Sequence, residues 1–378
     1  MKNVVIAGYV RSPFHLARKG DLAKVRPDEM AGQVVKALID RTGVNPEDIE
    51  DLIMGCAFPE GEQGFNVARI VDFLADLPIT VAGTTVNRFC GSSMQSIHMA
   101  AGAIQMNAGE VFVCAGIESM TRVPMAGFNP SPSPKLYEEH PEVYISMGET
   151  AENVARKYNI DRGRQEEFAV LSQNRAAAAR ESGKLKEEIA PIEQGSLRVE
   201  EDGCIRPETT AEVLAGLNPA FDENGTVTAG TSSPLTDGAS AVLVCSEDYA
   251  KANGLDAIAR IRSIAVYGCA PETMGMGPVG ATQKALDRAG VTINDIDVIE
   301  LNEAFAAQAL GVIDQAEMDI EKVNLDGGAI ALGHPLGATG ARITGKVASL
   351  MRREGKSLGL ATQCIGGGQG IATILEAA

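Results

Sequence analysis

The sequence predicts an α/β protein built from two copies of one unit, with a differently patterned segment inserted into the first copy. Three observations lead there. Short apolar strand patterns alternate with helical ones, two parts of the chain match each other, and the middle breaks the alternation. Residues 36–53, KALIDRTGVNPEDIEDLI, match 284–299, KALDRAGVTINDIDVI. Each reads as a helix ended by glycine, an acidic turn and a strand. TVNRFCGSS (85–93) parallels KVNLDGGAI (322–330), and VFVCAGIE (111–118) parallels LATQCIGG (360–367). The matches occur in the same order in both halves.

In the first copy, VVIAGYV (4–10), DLIMG (51–55), TVNRFC (85–90) and VFVCAGI (111–117) read as strands. In the second, DVIEL (297–301), KVNLDGG (322–328), LGLATQC (358–364) and IATILEA (371–377) do the same. Such runs predict central sheets covered on both faces. The middle begins with NPSPSP (129–134), an extended stretch. Helical periodicity follows from Thr150, and residues 193–225 have no clear period. The first copy resumes near SAVLVCS (240–246).

At 378 residues the chain exceeds the size of a single core, about 250–300 residues. A net charge of -17 argues against nucleic acid, since phosphate contacts need Lys and Arg. No run approaches the length of a membrane span. The N-terminus has no secretory leader pattern, and the C-terminus no lipidation or peroxisomal signal. Seven cysteines without CxxC spacing point to a reducing compartment and to neither a disulfide framework nor a zinc site. The expected location is the cytoplasm.

Four stretches could carry chemistry. In VNRFCGSSMQ (86–95), Cys90 precedes a helix that begins near Gly91, with Met94, Ile97, Ala101 and Ile104 at helical spacing. The positive end of that helix should lower the thiol pKa from about 8.5 towards neutral. The alternative is a small buried hydrophobe. In GHPLGATGARITGKV (333–347), His334 is held at a helix entrance by Pro335. LATQCIGGGQGIATI (360–374) reads as a hairpin whose first strand ends at Cys364, and its glycines let backbone N–H groups approach a ligand. In ELNEAFAAQAL (300–310), Asn302 reads as a helix N-cap or as a carboxamide positioning water or substrate.

NRFCGSSMQSIH, NEAFAAQ, NLDGGAIALGHPLGATG and QCIGGGQG together resemble the signature blocks of the thiolases, and SMGETAENVA (146–155) and GTVTAGTSSPLTDGA (225–239) match two more. The similarity runs from about residue 3 to 376. It implies a thiolase fold, two α/β halves stacked as five αβαβα layers. The first half would be 1–119 with 236–258, the second 259–378. An inserted loop domain, 120–235, would contact coenzyme A. The implied reaction is thiolytic cleavage of a 3-ketoacyl-CoA. By resemblance, Cys90 is the nucleophile, His334 the base, and Cys364 the acid towards the leaving acetyl-CoA enolate. Asn302 holds a water. The N–H groups of Cys90 and Gly366 form an oxyanion hole. Ser233 contacts pantetheine, and Met147 and Phe305 line the pocket. No permanent cofactor or metal is implied; coenzyme A and acyl-CoA are substrates. The family further implies a homodimer or homotetramer and a possible β-oxidation multienzyme partner.

Three departures bear on specificity. Ser146 stands where members specialised for acetoacetyl-CoA carry His, and the segment from Met120 to Met147 is short. Both favour the degradative branch over a biosynthetic acetoacetyl-CoA thiolase. Asn218 replaces a basic residue near the nucleotide end of coenzyme A. Two other readings are a ketosynthase-type condensing enzyme, which has no second cysteine, and a non-catalytic CoA or lipid carrier.

Overall fold

The computed structural model describes residues 2–378. Its strands are β1 (Val4–Arg11), β2 (His15–Leu16), β3 (Asp51–Gly55), β4 (Ala82–Val86), β5 (Val111–Ser119), β6 (Ile192–Gln194), β7 (Leu197–Val199), β8 (Thr236–Ser246), β9 (Ala259–Gly268), β10 (Val298–Leu301), β11 (Leu358–Ile365) and β12 (Gln369–Ala377). The main sheet runs β10-β11-β12-β9-β1-β8-β5-β3-β4, with β2 paired to β8. The duplication is visible in this order. β4-β3-β5-β8-β1 is repeated from the other end by Val323, which bridges Ile299 of β10, then β10-β11-β12-β9. The copies meet where β1 pairs with β9 over Val5↔Arg260 and Ile6↔Ala259 only.

Three buried clusters make five layers. The first lies between the outer face of β1, β3, β5 and β8 and the helices Pro27–Thr42 and Val67–Leu74. The second lies around two central helices, Ser92–Gln105 and Thr339–Glu354, and touches both halves of the sheet. The third joins β10–β12 to the helices Gly277–Ala289 and Ala306–Gln315. All of β1 is buried, with Val5 and Val10 in the first cluster and Val4, Ile6 and Tyr9 in the second. Burial on both faces explains its unbroken apolar run. The matched helices Pro27–Thr42 and Gly277–Ala289 each carry Pro near the start and stop at a glycine of positive φ, Gly43 (φ 67) and Gly290 (φ 67).

The middle segment holds helices Met147–Lys157 and Arg162–Glu181, the small β6–β7 hairpin and the short helix Ala211–Ala215. It is tied to the rest by buried charges. Arg11 pairs with Glu188 (2.8 Å) and Asp202 (2.7 Å). Lys346 bridges Glu188 (2.9 Å) and Asp326 (2.8 Å), and Arg353 pairs with Asp326 (2.6 Å). Burial alone would raise the Glu188 pKa, but Lys346 and Arg11 hold it below the usual range.

Four expectations change. The strand expected at 85–90 is β4, ending at Val86, because Phe89 turns the chain with φ 42. Residues 322–328 keep only the single bridge at Val323, because Asn324 (φ 49) and Gly327 (φ 82) take left-handed conformations that break a strand. The middle helix starts at Met147 rather than Thr150, because Ser146 and Glu149 form a capping box. Strand β9 was not foreseen. Its half-exposed pattern carries Arg260 and Arg262 outward, so it lacks the continuous apolar run of its match β1.

Candidate active site

The first part of the site is the turn that leaves β4. Asn87 donates to the Ala57 carbonyl (2.9 Å) and accepts from the Phe89 N–H (2.8 Å). The Ser92 hydroxyl donates to the Phe89 carbonyl (2.6 Å) and accepts from the Arg88 N–H (2.9 Å). These bonds hold Phe89 at positive φ, an outlier for a bulky residue of the kind found at functional turns. Cys90 follows, 9% exposed, packed with Ala57, Met120 and Leu336. The helix behind it starts at Ser92 and sits against β3, where a side chain in place of Gly55 would come 2.3 Å from the Ser93 nitrogen.

The other half brings the β11–β12 hairpin. The backbone N–H groups of Gly366 and of Cys90 itself pull the Cys90 thiol pKa down, against its burial. Burial in β11 raises the Cys364 pKa well above its usual value, and Cys90 adds to the rise. β10 lies beside β11, and the Asn302 N–H just beyond it donates to the Thr362 carbonyl (3.0 Å). The Asn302 side-chain nitrogen is 3.4 Å from Nε2 of His334, and its Oδ1 is buried without a protein partner. Asn302 is therefore not an N-cap. The helix beyond starts at Ala306 after Phe305, so the amide is free for the site.

The His334 ring is anchored through one nitrogen. Its Nδ1 lies 2.6 Å from the Thr339 hydroxyl, which donates to the Pro335 carbonyl (3.3 Å). With the hydroxyl proton on that carbonyl, Thr339 accepts from Nδ1–H and Nε2 carries the lone pair. Thr236 accepts from the His334 N–H (3.0 Å) and fixes the turn.

Burial dominates the electrostatics. It pushes the Cys90 thiol up to about 12, against the pull of the Gly366 N–H, with Glu118 adding to the rise. The helix-terminus expectation of a lowered Cys90 pKa is thus reversed, because desolvation of a thiolate outweighs a partial charge. Burial, then Arg342, push His334 down to about 3. The resting pair is a neutral thiol and a neutral imidazole.

Ser233 is half-buried and donates to the Ala304 carbonyl (3.0 Å). Met147 and Phe305 share one apolar cluster with Ala151, Val227 and Cys364, and Phe305 meets Phe221 edge-on at 5.8 Å. Asn218 is exposed. Sequence reasoning missed Thr339, Thr236, Gln363 and Glu118. Glu118 had a signal, a lone carboxylate ending an apolar strand. It is buried and accepts from the Ala57 (2.8 Å) and Gly337 (2.9 Å) N–H groups, tying the Cys90 and His334 turns together.

A model of the thiolase N-terminal domain matches residues 4–248, and one of the thiolase C-terminal domain matches 255–377. The chain belongs to the thiolase family. Among thiolases it is 47% identical over 389 residues to a 3-ketoacyl-CoA thiolase of Bacillus subtilis (strain 168), covering 100% of both chains. It is 49% identical over 386 residues to the 3-ketoacyl-CoA thiolase of Marinobacter nauticus, covering 99% of this chain and 98% of that one. Among solved structures, human mitochondrial 3-ketoacyl-CoA thiolase in complex with CoA superposes with a TM-score of 0.93 at 38% identity, covering 100% of this chain and 98% of that one. The Bacillus anthracis acetyl-CoA acetyltransferase superposes with a TM-score of 0.92 at 39% identity, covering 100% and 99%. The five-layer thiolase fold expected from the sequence is the fold found. Among the described residues, no helix is long and apolar enough to cross a membrane.

Proposed function

We propose that this thiolase cleaves 3-ketoacyl-CoA with coenzyme A, giving acetyl-CoA and a shortened acyl-CoA. The Cys90 sulfur attacks the 3-keto carbon while His334 Nε2 takes the thiol proton. The N–H groups of Cys90 and Gly366 hold the oxyanion of the adduct. The bond between C2 and C3 then breaks. Its electron pair becomes the enolate of acetyl-CoA, whose oxygen is held by His334 and a water on Asn302. Cys364 protonates C2, and the acyl group stays on Cys90 as a thioester. Protonated His334 then returns its proton to the Cys364 thiolate and takes the proton of the incoming coenzyme A thiol. That thiolate attacks the thioester, and the proton passes to the departing Cys90 sulfur.

The observation that carries this reading is the placement of the Cys364 strand against the Cys90 turn, where the neighbouring Gln363 donates to the Cys90 carbonyl. A ketosynthase-type enzyme has no use for a second sulfur there, and a carrier has no use for either. Met147, Phe305 and Ser233 line the acyl and pantetheine path. Residues 120–235 serve as the loop domain that covers the site between the halves at 1–119 with 236–258 and at 259–378; the packing of Met147, Ala151 and Val227 beside Cys364 supports this.

A thiolysis assay over 3-ketoacyl-CoAs of increasing length tests the function. Turnover should extend well beyond acetoacetyl-CoA, in line with Ser146 as a plain helix cap and the short 120–147 segment. Activity confined to acetoacetyl-CoA would remove the degradative assignment. No thiolysis of any substrate would remove the function itself.

The chain also acts as a homo-oligomer in this reading. β4 is an edge strand, paired on one side to β3, and Phe65 (94% exposed), Phe73 (56%) and Ile79 (71%) lie in the chain just ahead of it. A second copy placed about a twofold axis would satisfy the edge and cover the aromatic residues. Light scattering should give at least twice 39.6 kDa, with Phe65→Lys shifted towards the single chain. A wild type of single-chain mass at working concentration contradicts it.

A further inference from the structure

The oxyanion hole of this reading is divided between the two halves of the molecule. One N–H belongs to Cys90 in the first half, the other to Gly366 in the second. Donors on separate bodies keep their spacing only if something fixes one body on the other. The two peptide planes that flank Cys90 are fixed differently. The Phe89–Cys90 plane is pinned from within its own half, since the Phe89 carbonyl accepts from the Ser92 hydroxyl (2.6 Å) and the Ser92 N–H (3.1 Å). The Cys90–Gly91 plane is pinned from the other half. Its carbonyl accepts from Nε2 of Gln363, the residue before Cys364 and three before Gly366 on the same strand and turn.

Gln363 is fully buried, and its Oε1 has no protein partner. An apolar side chain of similar length would fill the place without stranding an acceptor, so packing does not account for the carboxamide. Its one protein bond goes to Cys90. A second bond between the same segments lies at the rim, where Arg88 reaches Gln369 (2.8 Å) and Gln95 (2.9 Å). That bond is partly exposed and does not touch the planes beside the sulfur.

We propose that Gln363 is a positioning residue: by holding the Cys90 carbonyl from the opposite half, it sets the spacing of the Cys90 and Gly366 N–H donors. This rests on Cys90 as the nucleophile. The test is the rate at which a 3-ketoacyl-CoA acylates Cys90, followed by rapid quench and intact mass, with substrate KM measured separately. Gln363→Met should acylate about 10²-fold more slowly, the lower end of the loss of one oxyanion donor. KM should change little, because binding of the CoA moiety does not pass through this bond. Gln363→Glu supplies a pH signature. A carboxylate facing the carbonyl repels it, whereas a protonated carboxyl donates to it. Acylation by this variant should therefore recover relative to wild type as pH falls through the carboxyl titration. A Gln363→Met protein that acylates at the wild-type rate overturns the proposal. So does a Gln363→Glu profile parallel to wild type, which decides the matter if the Met variant fails to fold. Failure of the wild type to acylate at Cys90 would instead remove the nucleophile assignment, and this proposal with it.

Discussion

Cys90→Ala should yield a protein that carries no acyl group after mixing with a 3-ketoacyl-CoA. Its thiolysis should fall by about 10⁶-fold, the scale seen when a nucleophile is removed from a covalent mechanism. The N–H groups of residue 90 and of Gly366 remain, so substrate binding should change far less than turnover. Folding should persist, since one sulfur leaves a small apolar contact with Ala57, Met120 and Leu336. Intact-mass labelling checks the acyl group, and a coupled assay checks turnover. Undiminished acylation of the variant would place the covalent step elsewhere.

Cys364→Ala should split the reaction in two. Cys90 should still take an acyl group from a simple acyl-CoA, because that exchange forms no carbanion. Cleavage and condensation between C2 and C3 should fall by about 10²–10⁴-fold, the usual contribution of a placed acid or base. Exchange of the C2 protons of acetyl-CoA with solvent deuterium isolates this step and should disappear. Continued exchange would assign the proton to another group. In the wild type neither His334, pushed to about 3, nor Cys90, pushed to about 12, changes charge at neutral pH, so the resting site keeps its protonation state there. In the proposed reaction the imidazole would then start as the free base and the thiol would start with the proton it gives up.

Much of this was legible in the chain. The runs 4–10, 51–55, 111–117 and 358–364 are strands because their side chains alternate between two buried faces or lie wholly inside. The repeat of helix, glycine stop and acidic turn located both halves. The structure also sets the strand of Cys364 against the Cys90 turn and the Asn302 amide against His334. Local pattern failed where distant contacts decide conformation. Phe89 takes a positive φ because Asn87 and Ser92 hold its two peptide groups, and no propensity foretells that. Asn302 looks like a cap because Asn commonly is one, yet its amide faces an imidazole brought in from 32 residues away. The Cys90 thiol was misjudged because a helix terminus is visible in sequence and depth of burial is not. Gln363 could not be singled out, since its side-chain bond crosses 273 residues.

The chain of buried charges from Asp202 through Arg11, Glu188, Lys346 and Asp326 to Arg353 constrains how relatives of this protein can diverge. Losing any one inner member leaves this buried chain with one uncompensated charge, at a cost of about 3–5 kcal/mol. That is a large share of the margin by which a domain stays folded. An all-apolar replacement would hold just as well once complete, but every single-step path to it crosses an unstable intermediate. Lineages should therefore keep these positions as a set or exchange them together, and a lone difference at one of them predicts a second close by.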